Sequence, residues 1–459
     1  MKKIIPIFLI AVILLSACSA VDEASVPTRT PSAAQGGGST PAVVPTVERQ
    51  SRLDVSEEAL NGVEVTVWIP WYGIESNLFD GFVNEFNDEN QWGIRVSVEN
   101  KVNFANLYEA TTASLPTNQR PSLVIALPEH AQEWHADGFV TDLTDYVDDP
   151  KYGINARDIP FEFWGQDTAG DVRVGVPAQR TAQVLLWNET WANALGFDTP
   201  PQTADEFKTQ SCRARETMLA DDDPRNDFLG GWLVNTESMT AYGWMTAFGG
   251  GVLDEGNYRF LAPGNVNAFR FLRELSEETC SWHAAGANPH TAFANREALF
   301  ITASLHDLPF VAGTLAAENN TDKWQAIPFP GKEKNTLPIY GSSYIVLKSG
   351  DAEMLATWLF VRWLLENEQD ARWVETTHLF PLRSSTLNLL GGYERTHPQW
   401  RQAVDLVPFG EMQPQLRSWR TVKIMLGDGF EHMYRVDIPS GKIASILAQM
   451  DAMARELSE

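Results

Sequence analysis

The sequence predicts an α/β protein in which helices cover both faces of a mainly parallel β-sheet. An alternating apolar pattern over 63–69 is typical of a strand, and apolar residues at helical spacing between Leu78 and Phe86 follow it. The same strand–helix order recurs twice before Gly138. Strands joined through helices usually pair in parallel, so this alternation predicts an α/β sheet.

Each element of this first half carries its own signal. The predicted order is a strand over 63–69, a helix around 78–86, a strand over 94–98, a helix around 104–115, a strand over 122–127 and a helix that ends near 138. The polar run 87–90 marks the end of the first helix. Ligands of such sheets bind beyond the carboxyl ends of the strands, which are 70–73 and 128–130 here.

The first 17 residues have the layout of a secretory signal peptide. Lys2 and Lys3 precede about a dozen mostly apolar residues, which are too few to span a membrane. The run from Leu15 to Cys18 resembles the lipobox of bacterial lipoproteins, and the resemblance implies a thioether-linked lipid on Cys18. We therefore expect a chain anchored to the cell membrane outside the cytoplasm. The alternative is an ordinary signal peptide with an incidental cysteine.

Residues 18–57 are predicted to be a flexible linker. They are rich in Ser, Thr, Pro and Gly and contain few large apolar residues, so they cannot build a core. The remainder, about 400 residues, is longer than one hydrophobic core usually organises, and two lobes are expected.

The charge balance disfavours nucleic acid as a partner. The chain has 35 Lys and Arg against 60 Asp and Glu, a net charge of −25, and no basic stripe interleaved with aromatic residues. Such an acidic surface repels phosphate backbones. We interpret the acidity as a contribution to solubility.

Cys212 and Cys280 are the two cysteines that follow Cys18. An even count in an oxidising compartment predicts a disulfide between them, and both lie near the ends of predicted helices. The bond would connect two neighbouring helices of one lobe. The alternative is a pair of separate buried thiols.

Several segments, in this order along the chain, resemble the extracellular solute-binding proteins of ATP-driven (ABC) sugar importers, the group that includes maltose-binding protein. The segments that carry the resemblance are 65–68 with Trp71, 82–87, 93–96, 121–124, 136–143, 175–177, 186–188, 201–207, 247–250, 293–299, 341–346, 358–364, 368–369 and 380–383. The family usually has Pro-Asp where this chain has Pro121-Ser122, and Trp where it has Ala204.

The resemblance implies the two-lobed periplasmic-binding-protein fold of type II, whose hinged lobes each contain a sheet flanked by helices. Lobe 1 is expected to comprise 58–177 and 338–380, and lobe 2 to comprise 178–337 and 381–459. Such a protein performs no catalysis and needs no cofactor. It captures a sugar or oligosaccharide by lobe closure and delivers it to the permease subunits of an ABC importer. We expect a monomer.

A sugar site needs aromatic planes for apolar C–H faces and planar polar groups for adjacent hydroxyls. The chain has 16 Trp, and several aromatic residues fall where the pockets of the family open. The aromatic candidates are Trp71, Tyr72, Trp232 and Phe248, with Gly249 for close backbone approach. The polar candidates at strand ends and crossings are Glu129, His130, Gln179, Arg180, Ser342, Ser343 and Arg383, and Arg417 and Trp419 are weaker ones.

Alternatives remain open at this stage. The same fold could bind a polyol phosphate or a peptide, and an anchored glycoside hydrolase is a third possibility, although no pair of carboxylates stands out by spacing. His130, Glu133 and His135 are close in sequence, but their spacing on a helix is poor for a metal site, and none is expected.

Overall fold

The computed structural model describes residues 50–284, 286–435 and 437–458. The predicted signal peptide, Cys18 and most of the predicted linker lie outside the described residues. The body begins before residue 57, because Ser51 Oγ donates a hydrogen bond to Asp149 Oδ2 at 3.0 Å and Leu53 packs against a hydrophobic core. Within the described residues, no helix combines the length and apolarity needed to cross a membrane.

Strands fall into two large sheets and two short hairpins. The strands are β1 (Glu64–Ile69), β2 (Arg95–Asn100), β3 (Leu123–Ala126), β4 (Thr168–Ala169), β5 (Val172–Arg173), β6 (Val176–Pro177), β7 (Thr181–Asn188), β8 (Trp232–Leu233), β9 (Leu253–Asp254), β10 (Asn257–Tyr258), β11 (Ser281–Trp282), β12 (Phe300–Ser304), β13 (Trp324–Ile327), β14 (Leu337–Tyr340), β15 (Ser343–Val346) and β16 (Gly410–Met412).

Helices surround both sheets. They are α1 (Ile74–Glu89), α2 (Phe104–Ser114), α3 (Pro128–Ala136), α4 (Thr144–Val147), α5 (Phe161–Trp164), α6 (Glu189–Ala194), α7 (Ala204–Leu219), α8 (Ser238–Ala247), α9 (Pro263–Glu277), α10 (Pro289–Ala294), α11 (Leu308–Ala317), α12 (Asp351–Leu364), α13 (Asn367–Thr377), α14 (Gly391–Thr396), α15 (Pro398–Asp405), α16 (Trp419–His432) and α17 (Ile443–Ser458). Short 3-10 turns lie at Glu57–Leu60, Ala156–Asp158, Gly165–Asp167, Leu305–Asp307, Ser384–Asn388, Val407–Phe409 and Ser440–Lys442.

Lobe 1 is built on a five-stranded sheet of order β2-β1-β3-β15-β6. The strands β2, β1 and β3 are parallel, as the strand–helix alternation predicts. The strand β15 runs antiparallel to β3 and to β6. The sheet is therefore mixed, because β15 re-enters it from the edge at which the parallel strands end.

Lobe 2 is built on the sheet β11-β8-β12-β7-β14-β16, with β13 also paired to β7. The strands β11, β8 and β12 are parallel, and β7 runs antiparallel to β12. The other antiparallel neighbours of β7 are β13 and β14. Helices α8, α9, α16 and α17 contribute to the core on one face of this sheet.

Much of the tryptophan content serves packing. The tryptophans whose side chains are almost completely buried are Trp134, Trp187, Trp232, Trp244, Trp358, Trp400 and Trp419. Aromatic side chains bury large apolar areas and dominate the energetics of a core. A high tryptophan count is therefore weak evidence for a sugar site in this chain.

Three backbone crossings connect the lobes. The first joins β6 to β7, the second joins β14 to β15, and the third follows α13. They are hydrogen-bonded to one another, because Ala178 N donates to Ser342 O at 2.9 Å and Phe380 N donates to Arg180 O at 3.0 Å. Gly341 has a φ of 155°, and a Cβ there would lie 2.1 Å from Gln179 O, so only glycine lets these two crossings approach.

Cys212 and Cys280 form a disulfide, with Cα atoms 4.4 Å apart. Cys280 follows the end of α9, as expected, but Cys212 lies in the middle of α7 rather than near its end. The helix extends further than its sequence signal because Ala214 also packs into the lobe-2 core. The bond connects α7 to the residues that lead into β11.

Candidate functional site

The carboxyl edge of the lobe-1 sheet adjoins the crossings. Ala126, the last residue of β3, pairs with Ser343, the first residue of β15. Pro177, the last residue of β6, pairs with the same Ser343. The loops that follow β1, β2 and β3 therefore lie on the side of lobe 1 from which the chain crosses to lobe 2.

The lobe-2 sheet presents the corresponding edge. Ser304, the last residue of β12, pairs with Gln183 near the start of β7, and Tyr340, the last residue of β14, pairs with Thr181. The parallel strands β8 and β12 thus also end beside the crossings. The carboxyl edges of the two sets of parallel strands face each other, and in open α/β sheets this edge is where ligands bind.

The lobe-2 wall of this interlobe cleft carries a chain of polar side chains. Tyr340 Oη donates to Gln183 Oε1 at 2.8 Å, and Gln183 Nε2 donates to Glu237 Oε2 at 3.0 Å. Burial, followed by the nearby carboxylates of Glu237 and Asp307, raises the pKa of Tyr340, which remains a neutral donor. A phenol, an amide and a carboxylate in sequence can exchange hydrogen bonds with adjacent hydroxyl groups.

The lobe-1 wall carries Glu129 and His130 in the first turn of α3. Both side chains are buried, and Glu129 Oε1 forms an ion pair with Lys423 Nζ of α16 in lobe 2. Burial lowers the pKa of His130 to about 4, so its imidazole is neutral at physiological pH. His130 Nδ1 is buried without a hydrogen-bond partner among the described residues.

Two further contacts connect the facing edges. Arg420 Nε, on α16 of lobe 2, lies 2.9 Å from Glu133 Oε1 on α3 of lobe 1. On α1 of lobe 1, burial raises the pKa of Glu75, and the charge of His306 in lobe 2 partly offsets the rise. The lobes therefore approach each other beside α3 and beside the start of α1.

Among the aromatic candidates, two are core residues. Trp71 is packed against Trp373, with ring centroids 4.8 Å apart, and is buried in lobe 1. Trp232 is fully buried in lobe 2, and its Nε1 donates to Thr302 Oγ1 at 3.2 Å. Neither ring has a free face in this structure. Tyr72, which follows β1, is instead 73% exposed.

Phe248 and Gly249 lie at a pocket of lobe 2 rather than at the facing edges. Phe248 packs against Phe271 at a centroid distance of 5.2 Å, and both line a cavity of about 340 Å³ with Arg270 and Lys332. Gly249 has a φ of 73°, which allows the backbone to turn after α8.

Four polar candidates are brought together at the hinge. Arg180 is fully buried, and its Nη2 lies 2.6 Å from Asp167 Oδ2 while its Nη1 donates to Ser342 O at 2.6 Å. Ser343 Oγ also donates to Asp167. Ser342 Oγ donates to Gln179 Oε1 at 3.1 Å. These groups satisfy one another and hold the first two crossings together.

The remaining candidates also have protein partners. Arg383 Nε donates to Leu365 O at 2.5 Å, and its Nη1 lies 3.5 Å from Asp158 Oδ2. Trp419 is buried and donates to Gln413 Oε1 at 3.1 Å. Arg417 is 3.6 Å from Asp137 Oδ1.

Sequence reasoning missed Gln183, Glu237, Tyr340 and Lys423. Tyr340 directly precedes the glycine of the second crossing, and this position could have indicated it. Lys423 carries no such signal, because its place in the cleft depends on how α16 packs against lobe 1. Cys212, Glu278 and Cys280 have ligand atoms within 4.8 Å of one another, but the two sulfurs are bonded to each other and offer no thiolates to a metal.

Solved structures resemble this fold over most of the chain. The sugar-binding protein MalE from Xanthomonas citri has a TM-score of 0.75 at 16% identity, with 86% of this chain and 98% of that chain covered. The cyclic α-maltosyl-1,6-maltose binding protein from Arthrobacter globiformis has a TM-score of 0.72 at 19% identity, with coverages of 86% and 99%. UgpB from Mycobacterium tuberculosis, in complex with glycerophosphocholine, has a TM-score of 0.71 at 17% identity, with coverages of 86% and 98%.

These similarities confirm the predicted two-lobed α/β fold. No curated protein sequence matches the chain. The family profile of bacterial extracellular solute-binding proteins matches residues 81–404, which is most of the body. The chain therefore belongs to the bacterial extracellular solute-binding protein family.

Proposed function

We propose that this protein is the lipid-anchored, extracytoplasmic solute-binding component of an ABC importer, and that it captures a sugar or oligosaccharide by lobe closure and delivers it to the permease. The observation that carries the proposal is the pair of facing sheet edges on one side of a three-crossing hinge. A ligand between Glu129 and the Gln183–Tyr340 pair would contact both lobes only when they are closed. Such a ligand shifts the hinge equilibrium toward the closed form.

The polar chain of the lobe-2 wall supports a sugar. A pyranose offers adjacent hydroxyls that both donate and accept, and Gln183, Glu237 and Tyr340 supply both capacities within 3.0 Å of one another. Glu237 and Asp307 place negative charge at this wall and would repel a phosphate. A polyol phosphate or a peptide remains the alternative ligand class, and the UgpB complex is one similar structure with a phosphate-containing ligand.

A binding role without catalysis fits the carboxylates of the cleft. Glu129 is paired with Lys423, and the pair holds the pKa of Glu129 below its usual value although burial opposes this. A general acid in a glycoside hydrolase needs the opposite shift.

A ligand screen tests the sugar proposal. The purified full-length chain should show a rise in melting temperature with at least one mono- or oligosaccharide, since ligand at 100 times its Kd stabilises a protein by about 2.7 kcal/mol. Glycerophosphocholine and a mixed peptide library form the other arms. A response only to one of these, or sugar turnover on incubation, would contradict the proposal.

A matched pair of variants tests the site. Tyr340→Phe removes the donor to Gln183 and should weaken sugar binding about tenfold in calorimetry. Tyr344→Phe also removes a buried hydroxyl, but from the lobe-1 core, and should leave the affinity unchanged. Equal effects of the two variants would remove Tyr340 from the site.

The anchor is tested separately. Cys18→Ala should move the protein from the membrane fraction to the soluble extracytoplasmic fraction, because lasting attachment requires several acyl chains on that sulfur. Persistent membrane association of the variant would mean that Cys18 carries no anchor.

A further inference from the structure

Three acidic residues of lobe 1 face three basic residues of lobe 2 in an ordered register. Glu129 pairs with Lys423, Glu133 Oε1 lies 2.9 Å from Arg420 Nε, and Asp137 Oδ1 lies 3.6 Å from Arg417 Nη2. The acidic residues advance by four positions while their partners retreat by three. Both steps are about one helical turn, so α3 and α16 run antiparallel and present successive turns to each other. We name these six residues the α3–α16 seam.

The exposure of the seam is graded. The Glu129 and Lys423 side chains are 1% and 20% exposed, those of Glu133 and Arg420 are 17% and 33% exposed, and those of Asp137 and Arg417 are 48% and 66% exposed. The inner pair thus lies at the cleft, and the outer pair lies at the surface. Partly buried charge pairs are screened less by salt than exposed ones, so the inner and middle pairs should contribute most of the attraction.

Aromatic side chains of lobe 1 brace the middle pair. The guanidinium of Arg420 lies 4.3 Å from the ring centroid of Tyr108, and Tyr108 Oη donates to Glu133. Tyr108 in turn packs against Trp134, with centroids 6.0 Å apart. A cation over a tyrosine ring adds attraction to the ion pair, so Arg420 is held by two independent interactions with lobe 1.

Helix electrostatics argue that the placement serves contact between lobes. Arg420 is the second residue of α16, and Asp137 is the C-cap of α3. The helix dipole disfavours a cation near a helix start and an anion near a helix end. Each of these charges is compensated by a partner in the other lobe. Beyond Arg417, Thr168 Oγ1 of lobe 1 also donates to Gln415 Oε1 at 2.6 Å.

We propose that the α3–α16 seam is an electrostatic latch that holds the lobes together on this flank of the cleft in the absence of ligand. The hinge equilibrium of the free protein is then biased toward the closed form, and the bias depends on ionic strength. A ligand that requires the closed form binds with an apparent affinity proportional to the closed fraction. Salt that opens the latch therefore weakens ligand binding without touching the ligand.

Small-angle scattering of the ligand-free, full-length chain tests the latch and is independent of which solute the protein binds. Raising NaCl from 10 mM to 1 M shortens the Debye length from about 30 Å to about 3 Å. The radius of gyration of the wild-type chain should increase over this range. At low salt, Arg420→Glu should already have the larger radius, and Glu133→Arg combined with Arg420→Glu should return to the smaller one.

Arg213→Glu is the matched control, because Arg213 pairs with Glu216 of its own helix and should leave the radius unchanged. If circular dichroism shows that Arg420→Glu is unfolded, Arg420→Gln takes its place with a change in the same direction. A wild-type radius that does not respond to salt, or an Arg420 variant as compact as the wild type at low salt, would overturn the latch.

Discussion

The hinge and the α3–α16 seam both join the lobes through an arginine–carboxylate pair, but the two pairs differ in their surroundings. At the hinge, Arg180 and Asp167 have side chains that are 0% and 1% exposed. At the seam, Arg420 and Glu133 are 33% and 17% exposed. Arg180 also donates to Phe163 O at 3.1 Å and to Ser342 O at 2.6 Å, so its charge is distributed over backbone carbonyls.

This difference indicates which contact can separate. Opening the hinge pair would leave a charge inside protein, whereas opening the seam transfers both charges to water. The crossings also tie the hinge covalently. We therefore expect the hinge to remain intact while the lobes rotate about it, and the seam to separate at the opposite side of α3.

Arg180→Met should give the largest effect on stability. The substitution leaves the Asp167 carboxylate buried without its cation, and breaking a buried pair in this way costs about 3–5 kcal/mol of unfolding free energy. Urea denaturation followed by tryptophan fluorescence measures this loss. Arg213→Met, which breaks an exposed pair within α7, should cost only about 0–1 kcal/mol. Equal losses in the two variants would contradict a buried polar hinge.

Asp370 gives the second largest effect and shows what a hinge carboxylate does without a contacting cation. It accepts hydrogen bonds from Leu382 N at 3.0 Å, Arg383 N at 3.2 Å and Thr386 Oγ1 at 2.6 Å. Burial nevertheless raises its pKa to about 6. Its contribution to folding stability is therefore fully present below the unfolded pKa, near pH 4, and is lost as the pH rises through about 6.

Asp370→Asn should remove that pH dependence. Between pH 4 and pH 7 the unfolding free energy of the wild type should fall relative to the variant by on the order of 2–3 kcal/mol, since one pKa unit corresponds to about 1.4 kcal/mol. Urea midpoints at several pH values measure this difference. Parallel pH profiles for the two proteins would mean that Asp370 is not buried in this way.

The elements that depend on local pattern were predictable. The strand expected over 63–69 is Glu64–Ile69, and the helix expected around 104–115 is Phe104–Ser114. Their alternating or helical apolar spacing faces a core in each case, so neighbouring residues suffice to specify them. The parallel order of β2, β1 and β3 followed from the helices between them.

The candidate site was harder to predict because it depends on long-range packing. Arg180 was correctly expected at a crossing, but its partner Asp167 lies in a 3-10 turn that carries no sequence signal. Lys423 and Glu129 are separated by 294 positions, and one sequence holds no information on that pairing. Trp232 could have been a platform or a core residue, and only the contacts with Phe207 and Trp244 place it in the core.

Within the seam, the inner pair should matter most. Glu129→Gln removes the charge that faces Lys423, and we expect a loss of about 1–2 kcal/mol, because the partly exposed lysine can turn toward water. The paired carboxylate has a lowered pKa, so its contribution is present above about pH 4.5 and is lost as the pH falls through the folded pKa. The same urea series measures it, and a Glu129→Gln loss that grows toward low pH would contradict this sign.

The outer pair should give the smallest effect. Asp137 and Arg417 are 3.6 Å apart and about half or more exposed, and such pairs contribute roughly 0–0.5 kcal/mol after screening. Arg417→Gln should therefore leave the urea midpoint almost unchanged and reduce only slightly the salt dependence of the radius of gyration. An effect as large as that of Glu129→Gln would mean that proximity to the cleft does not set the strength of these pairs, and the attraction along the seam would then be uniform rather than graded.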